Sequence, residues 1–166
     1  MKRIPLSQYG KNKGRYFAIV DDEDFERVSS SRWCVLRRKF GIDYSQASID
    51  GRKILMHRFI LDAPRGVQVD HRDRDGLNNT RANLRLATQS QNLGNQVKQH
   101  NSKYSYKGIY IHRGRWCASL AGKYIGVFAT PEAAALAYDR AAIERWGEFA
   151  RTNFPAAQKE REGSTA

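Results

Sequence analysis

From Gly76 to Pro131 the chain contains no Asp or Glu. The same stretch carries Arg81, Arg85, Lys98, Lys103, Lys107, Arg113, Arg115 and Lys123. Solubility does not ask for positive charge alone, since mixed charge serves it as well. A surface laid along phosphates does. The whole chain of 166 residues repeats the bias, with 29 Lys+Arg against 17 Asp+Glu, a net charge of +12 and a pI near 10.0. That surplus points to a polyanionic partner. Cysteine is scarce as well. Cys34 and Cys117 are far apart and neither belongs to a Cys-x-x-Cys pair, which excludes a four-cysteine zinc knot. Free thiols of a reducing compartment are expected. No apolar run approaches the roughly 18 residues of a membrane helix. Met1-Lys2-Arg3-Ile4-Pro5-Leu6 lacks the apolar centre of a signal peptide. The expectation is no membrane partner and a cytoplasmic location.

Three segments follow one another. Residues 1–55 read as a β-rich region. Tyr16–Val20 and Trp33–Leu36 are short apolar runs, and Asp50-Gly51 is a hairpin turn between Tyr44–Ile49 and Lys53–Met56. The acidic cluster Asp21–Asp24 with Glu26 reads as a solvated turn or a helix start rather than a cation site, because consecutive carboxylates converge on an ion only in a defined loop. In residues 56–100, Arg58–Leu61 is a short apolar-rich piece ended by Pro64. Val67–His71 then reads as a strand, Arg72–Asn83 as a polar loop and Leu84–Ala87 as a second strand. Thr88-Gln89-Ser90-Gln91 is a capping box, so a helix should start at Gln89 and include Asn92. Gly94–Ser105 reads as a linker. In residues 101–155, Gly108–His112, Arg115–Leu120 and Lys123–Phe128 read as three strands with Gly-bearing turns. Thr130-Pro131-Glu132 opens a helix closed by Gly147. The tail 156–166 is polar and expected to be disordered.

Met56-His57-Arg58, Val69-Asp70-His71, Asn78-Asn79, Asn83-Leu84-Arg85, Thr88 and Asn92 together resemble the ββα-metal fold of His-Asn-His (HNH) nucleases. The variety is that of phage and intron homing endonucleases. The resemblance implies a phage-encoded DNA endonuclease working in a bacterial host cell. It makes His71 the general base that takes a proton from water, a role suited to a side chain titrating near neutral pH. It makes Asp70 and Asn92 the oxygen ligands of one Mg2+ or Mn2+, and Asn83 the residue that ties the loop holding His71. His57, Arg58, Asn79 and Arg85 are supporting residues. His57 either packs or contacts phosphate on one reading, or takes a direct catalytic part on the other. Successive strand residues face opposite ways. Asp70 and His71 can therefore serve one site only if the strand ends or twists there. His71-x-Asp73-x-Asp75-Gly76 imitates the start of a calcium loop, but positions one and twelve hold His71 and Ala82, which excludes an EF-hand.

Tyr106-Lys107-Gly108-Ile109, Trp116, Ile125-Gly126-Val127-Phe128, Thr130-Pro131-Glu132 and Ala137-Tyr138-Asp139-Arg140-Ala141-Ala142 resemble the Apetala-two/ethylene-response-factor (ERF) DNA-binding domain. That resemblance implies a three-stranded sheet reading the major groove. Strand alternation puts Ile109, Ile111, Trp116, Ala118, Leu120, Ile125 and Val127 on one face, packed on a helix stripe of Ala134, Ala137, Tyr138 and Ala141. Tyr110, His112, Arg115, Ser119 and Tyr124 fall on the other face, with Lys107, Arg113 and Lys123 at strand ends, as candidate DNA contacts. The places where the family carries base-reading Arg hold Tyr110, Ser119 and Ala121 here. The target must then differ, or the module supplies affinity through phosphates.

The expected fold is α+β: a small N-terminal β region, a central ββα-metal nuclease module and a C-terminal three-stranded antiparallel sheet packed on one helix. The expected partner is double-stranded DNA. A monomer with one site nicks, whereas paired nicks need a dimer or a second event. The alternatives are a non-catalytic DNA-binding protein with a degenerate nuclease fold, and an RNA-binding protein. Retention of Asp70, His71, Asn83 and Asn92 together favours the enzyme.

Overall fold

The computed structural model describes residues 1–7, 10–38, 42–96 and 103–155. Part of the expected linker and the whole tail 156–166 lie outside the described residues. The chain is α+β and forms two compact units, residues 1–89 and a second beginning at Ser90.

The first unit starts with β1 (Lys2–Leu6) paired antiparallel to β2 (Tyr16–Val20). Alternation shows only in burial: Ile4, Leu6, Ala18 and Val20 point inward. The acidic run becomes the first turn of α1 (Asp22–Ser29), where carboxylates suit the positive end of the helix dipole. A three-stranded sheet follows, β3 (Trp33–Leu36), β4 (Tyr44–Ile49) and β5 (Arg52–Leu55), in spatial order β3-β4-β5. Asp50 and Gly51 both take positive φ in the β4–β5 turn, as a two-residue hairpin requires. Met56 ends the strand and begins α2 (Met56–Ile60). The hairpin β6 (Gln68–His71) and β7 (Leu84–Ala87) pairs Asp70 with Arg85 and His71 with Leu84. One apolar core joins these pieces: Leu6, Val20, Val28, Trp33, Met56, Ile60, Val69 and Leu84 are all buried in it. The N-terminal strands and the β6–β7 hairpin therefore share a single interior.

The second unit holds α3 (Gln89–Gly94), apart from its first residue, and a sheet of β8 (Ile109–His112), β9 (Arg115–Leu120) and β10 (Lys123–Phe128), in order β10-β9-β8. The sheet lies on α4 (Pro131–Trp146). Thr130 caps α4 by accepting from the Ala133 amide, and Pro131 occupies its first turn. The buried stripe of α4 is Ala134, Ala135, Tyr138, Ala142 and Trp146, so Ala137 and Ala141 sit at its margin rather than on it. Gly108 lies flat on this stripe. A Cβ there would come 1.9 Å from the Tyr138 ring, at a φ of +78°. The Asp139 carboxylate, 1% exposed, accepts from the Asn153 and Phe154 amides at 2.8 and 2.9 Å and so pins the chain after α4.

Two side chains depart from simple alternation. Pairing of β9 with β10 slips between Tyr124 and Gly126, a β-bulge, after which Val127 lies opposite Cys117 and Phe128 opposite Trp116. The extra residue reverses the parity of everything beyond it. Val127, expected on the helix side, therefore shares the outer face with Cys117 and is 47% exposed. Ile111 keeps its expected parity, opposite Trp116, yet lies near the end of β8 and is 42% exposed.

Candidate active site and nucleic-acid interface

His71 is the last residue of β6, and the polar loop begins at Arg72. The strand ends where Asp70 and His71 must depart from simple alternation. Both are buried, at 5% and 4% exposure. Asp70 forms an ion pair across the hairpin with Arg85, whose Nε and Nη2 lie 2.8 and 2.7 Å from Oδ2. Both partners are enclosed, so the guanidinium offsets the cost of taking the carboxylate out of water.

Loop 72–83 is held by its own short polar side chains. Asn83 Nδ2 donates to Asp73 Oδ1 and to the Asn78 carbonyl, both at 2.8 Å, while its Oδ1 accepts from the Asp73 amide at 3.0 Å. Asp73 also accepts from the Asp75 amide and from Asn78 Nδ2. Burial would raise the Asp73 pKa, but these hydrogen bonds outweigh it and hold the group below its ordinary value. The loop is also stitched to β2: the Ile19 amide donates to Leu77 O and the Asn79 amide to Ile19 O, each at 2.8 Å. Gly76 permits a close approach to the β4 side, where a Cβ would lie 2.3 Å from the Asp43 carbonyl oxygen. Asp73 and Asp75 were legible only as a failed calcium loop. Their Asx-turn chemistry, a side-chain oxygen bonding an amide two residues on, is the signal that marks them as loop clamps.

His71 Nε2 lies 3.4 Å from Asn79 Oδ1. Asn79 Nδ2 points to Ser45 Oγ and to the Gly76 carbonyl, which can only accept. The amide oxygen therefore faces the imidazole, Nε2 carries the proton, and the neutral ring has its lone pair on Nδ1. The His71 pKa is lowered chiefly by burial, against the hydrogen bond to Asn79 and the nearby Asp73 and Asp70. His57, on α2, meets the His71 ring edge-on at 5.0 Å between centroids, and Tyr44 packs against both imidazoles. Burial, His71 and Arg58 push His57 down to about 3. His57 is thus a buried ring packed edge-on against His71. Arg58 clasps the chain after α2 by donating to the carbonyls of Ala63, Pro64 and Val67.

Asn92 lies on α3, in the second unit. Asp70 carries a carboxylate and Asn92 an amide oxygen, each a hard donor of the kind Mg2+ or Mn2+ takes. The acidic cluster of α1 is already served by a cation. Arg81 donates to Asp24 at 2.8 and 2.7 Å and pairs with Glu23 at 2.9 Å, and its amide bonds Asp21.

In the second unit the register places Tyr110, Cys117 and Val127 in one row across the outer face. His112 and Arg115 form the next row on one side, and Ser119 and Tyr124 the next on the other. Arg113 sits in the β8–β9 turn and Lys123 begins β10, both exposed. Lys107 is placed differently. Its ammonium donates to the carbonyls of Gly94 and Gln96 at 3.0 and 2.6 Å, where a cation suits the negative end of α3.

The HNH endonuclease family model matches residues 62–93, which span β6, the clamped loop, β7 and α3. An uncharacterized HNH endonuclease of Acanthamoeba polyphaga mimivirus is 34% identical over 154 residues, covering 87% of this chain and 78% of that relative. The chain belongs to the HNH endonuclease family and is a nuclease. Two Arabidopsis thaliana proteins match shorter stretches. Dehydration-responsive element-binding protein 2E is 50% identical over 44 residues, 26% of this chain and 18% of its own length. An AP2-like ethylene-responsive transcription factor is 46% identical over 59 residues, 32% of this chain and 17% of its own length. No solved structure matches. Among the described residues no helix is long and apolar enough to cross a membrane.

Proposed function

We propose that the protein is a metal-dependent endonuclease that hydrolyses phosphodiester bonds of duplex DNA, with His71 as general base. The observation that carries this reading is the His71 ring itself. It is buried, its pKa is lowered chiefly by burial, and its Nε2 lies 3.4 Å from Asn79 Oδ1, an acceptor that favours the tautomer with the proton on Nε2. Asn83, clamped to Asp73 and Asn78, keeps the loop after His71 in one shape. Asp70 and Asn92 are the residues that would hold Mg2+ or Mn2+. Such an ion, when bound, supplies charge stabilisation at the scissile phosphate and the leaving oxygen. His71 takes the proton of the attacking water. Arg85 pairs with the Asp70 carboxylate and holds it in one orientation.

The second unit is an ERF-like module that lays its sheet on DNA through His112, Arg113, Arg115 and Lys123, with Tyr110, Ser119 and Tyr124 facing the bases. The basic stretch from Gly76 to Pro131 and the two partial plant matches support this reading. The mimivirus relative supports a virus-borne, homing-type setting inside an infected cell.

The test is incubation of the purified chain with supercoiled plasmid and Mg2+ or Mn2+. Nicked or linear product is expected, and chelation should remove it. His71→Ala should lower the cleavage rate at least about a hundredfold, the usual contribution of a positioned base, with gel-shift affinity for the same DNA unchanged. Cleavage by His71→Ala at the parent rate would refute the assignment of the base.

A further inference from the structure

The outer face of the β8–β9–β10 sheet is not uniformly basic. Its central row is Tyr110, Cys117 and Val127, which the register sets side by side on three adjacent strands. Tyr110 is 36% exposed and Val127 47%, whereas Cys117 between them is 3% exposed and lies recessed behind them. Tyr124, one row away, is 61% exposed. These side chains, with His112, Arg113 and Arg115, line one shallow cavity of about 620 Å3. Val127 reaches it only because of the bulge between Tyr124 and Gly126.

Three strands about 4.8 Å apart make a row roughly 10 Å across, comparable with a major groove about 12 Å wide. A guanine is read there by two parallel donors on one side chain, usually Arg, and an adenine by Asn or Gln. The central row holds neither kind. Its one hydroxyl is on Tyr110, and the remaining surface is apolar. A single major-groove feature is apolar, the C5-methyl group of thymine. The guanidinium groups sit at one end of the face, beside His112, where they can meet phosphates. The stretch from Gly76 to Pro131, which contains the whole sheet, carries no carboxylate to repel a polyanion.

We propose that Tyr110 and Val127, flanking the recessed Cys117, form a seat for thymine methyl groups, and that this row makes the sheet a reader of thymine-containing sites in duplex DNA. Val127 is the specificity-determining residue. The proposal rests on the reading that this face lies in the major groove, and deepens it by naming the base.

The full chain is used in chelator, so that binding is measured without cleavage. Preferred duplexes are selected from a randomised library, and the selected duplex is then made with deoxyuridine in place of thymidine, which removes only the methyl groups. The parent should prefer sites containing thymine and bind the deoxyuridine duplex about fourfold more weakly for each methyl seated, the transfer cost of one methyl-sized group. Val127→Ser, at a half-exposed position, should bind both duplexes within twofold of each other. Selected sites without thymine, equal parent affinity for the two duplexes, or full methyl dependence in Val127→Ser would each overturn the seat while leaving DNA binding intact. Failure to enrich or bind any duplex would instead remove the groove-binding reading, and the seat with it.

Discussion

Acidification should unfold the first unit through His57. The ring is 5% exposed, stands edge-on to His71, and has its pKa pushed from 6.5 to about 3 by burial, His71 and Arg58. A depressed histidine pKa means that the unfolded chain binds the proton more readily than the folded one. Its contribution is therefore present above pH 6.5 and is lost progressively as pH falls toward 3. Each pH unit within that window costs about 1.4 kcal/mol, so lowering pH from 7 to 5 should cost about 2 kcal/mol from this residue. His71, lowered by burial as well, adds in the same direction. The lowered carboxylates Asp62 and Asp73 lose their contributions only below their ordinary value of 3.8, outside the interval between pH 7 and pH 5. Urea unfolding at pH 7 and pH 5, followed by fluorescence in a Trp116→Phe, Trp146→Phe background that leaves Trp33 as the sole tryptophan, measures the effect. With a denaturant slope of about 2 kcal/mol per molar, the midpoint should fall by about 1 M. His57→Phe keeps a ring against His71 and Tyr44 but takes no proton, so it should remove most of that shift while His71 supplies the remainder. Equal midpoint shifts in the parent and His57→Phe would refute the account.

Two other perturbations test the scaffold and the interface. Gly76→Ala places a methyl group 2.3 Å from the Asp43 carbonyl, so the backbone must move. A loss of about 1–3 kcal/mol is expected in urea unfolding, and a change below about 0.5 kcal/mol would show that the loop does not need this close approach. Replacing Arg113 and Arg115 together by Ala should weaken DNA binding evenly across sequences and reduce the slope of log affinity against log salt by about 2. A changed sequence preference with an unchanged slope, measured by anisotropy over a salt series, would make the two arginines base readers instead.

Local chemistry within the sequence was enough to determine β6, β7, α3 and the cap of α4. Apolar alternation marks the two strands, Thr88 begins a capping box, and Thr130-Pro131-Glu132 carries a cap, a fixed φ and a favourable charge in three consecutive residues. The Asp50-Gly51 turn was legible for the same reason. β1 was not. Five residues with a proline at their fourth position carry too little pattern, and only pairing with β2 makes them a strand. Only the tertiary structure decided that Arg81 reaches 57 positions back along the chain to Asp24, that Asn79 touches the His71 ring while Asn83 ties the loop, and that the His57 ring packs against it. It also decided that Lys107 serves α3 and that a bulge turns Val127 outward. These contacts join residues whose separation in sequence carries no periodic signal. A bulge adds one residue to a strand with period two, so the sequence specified the side chains of the sheet, while the register decided which of them face a partner.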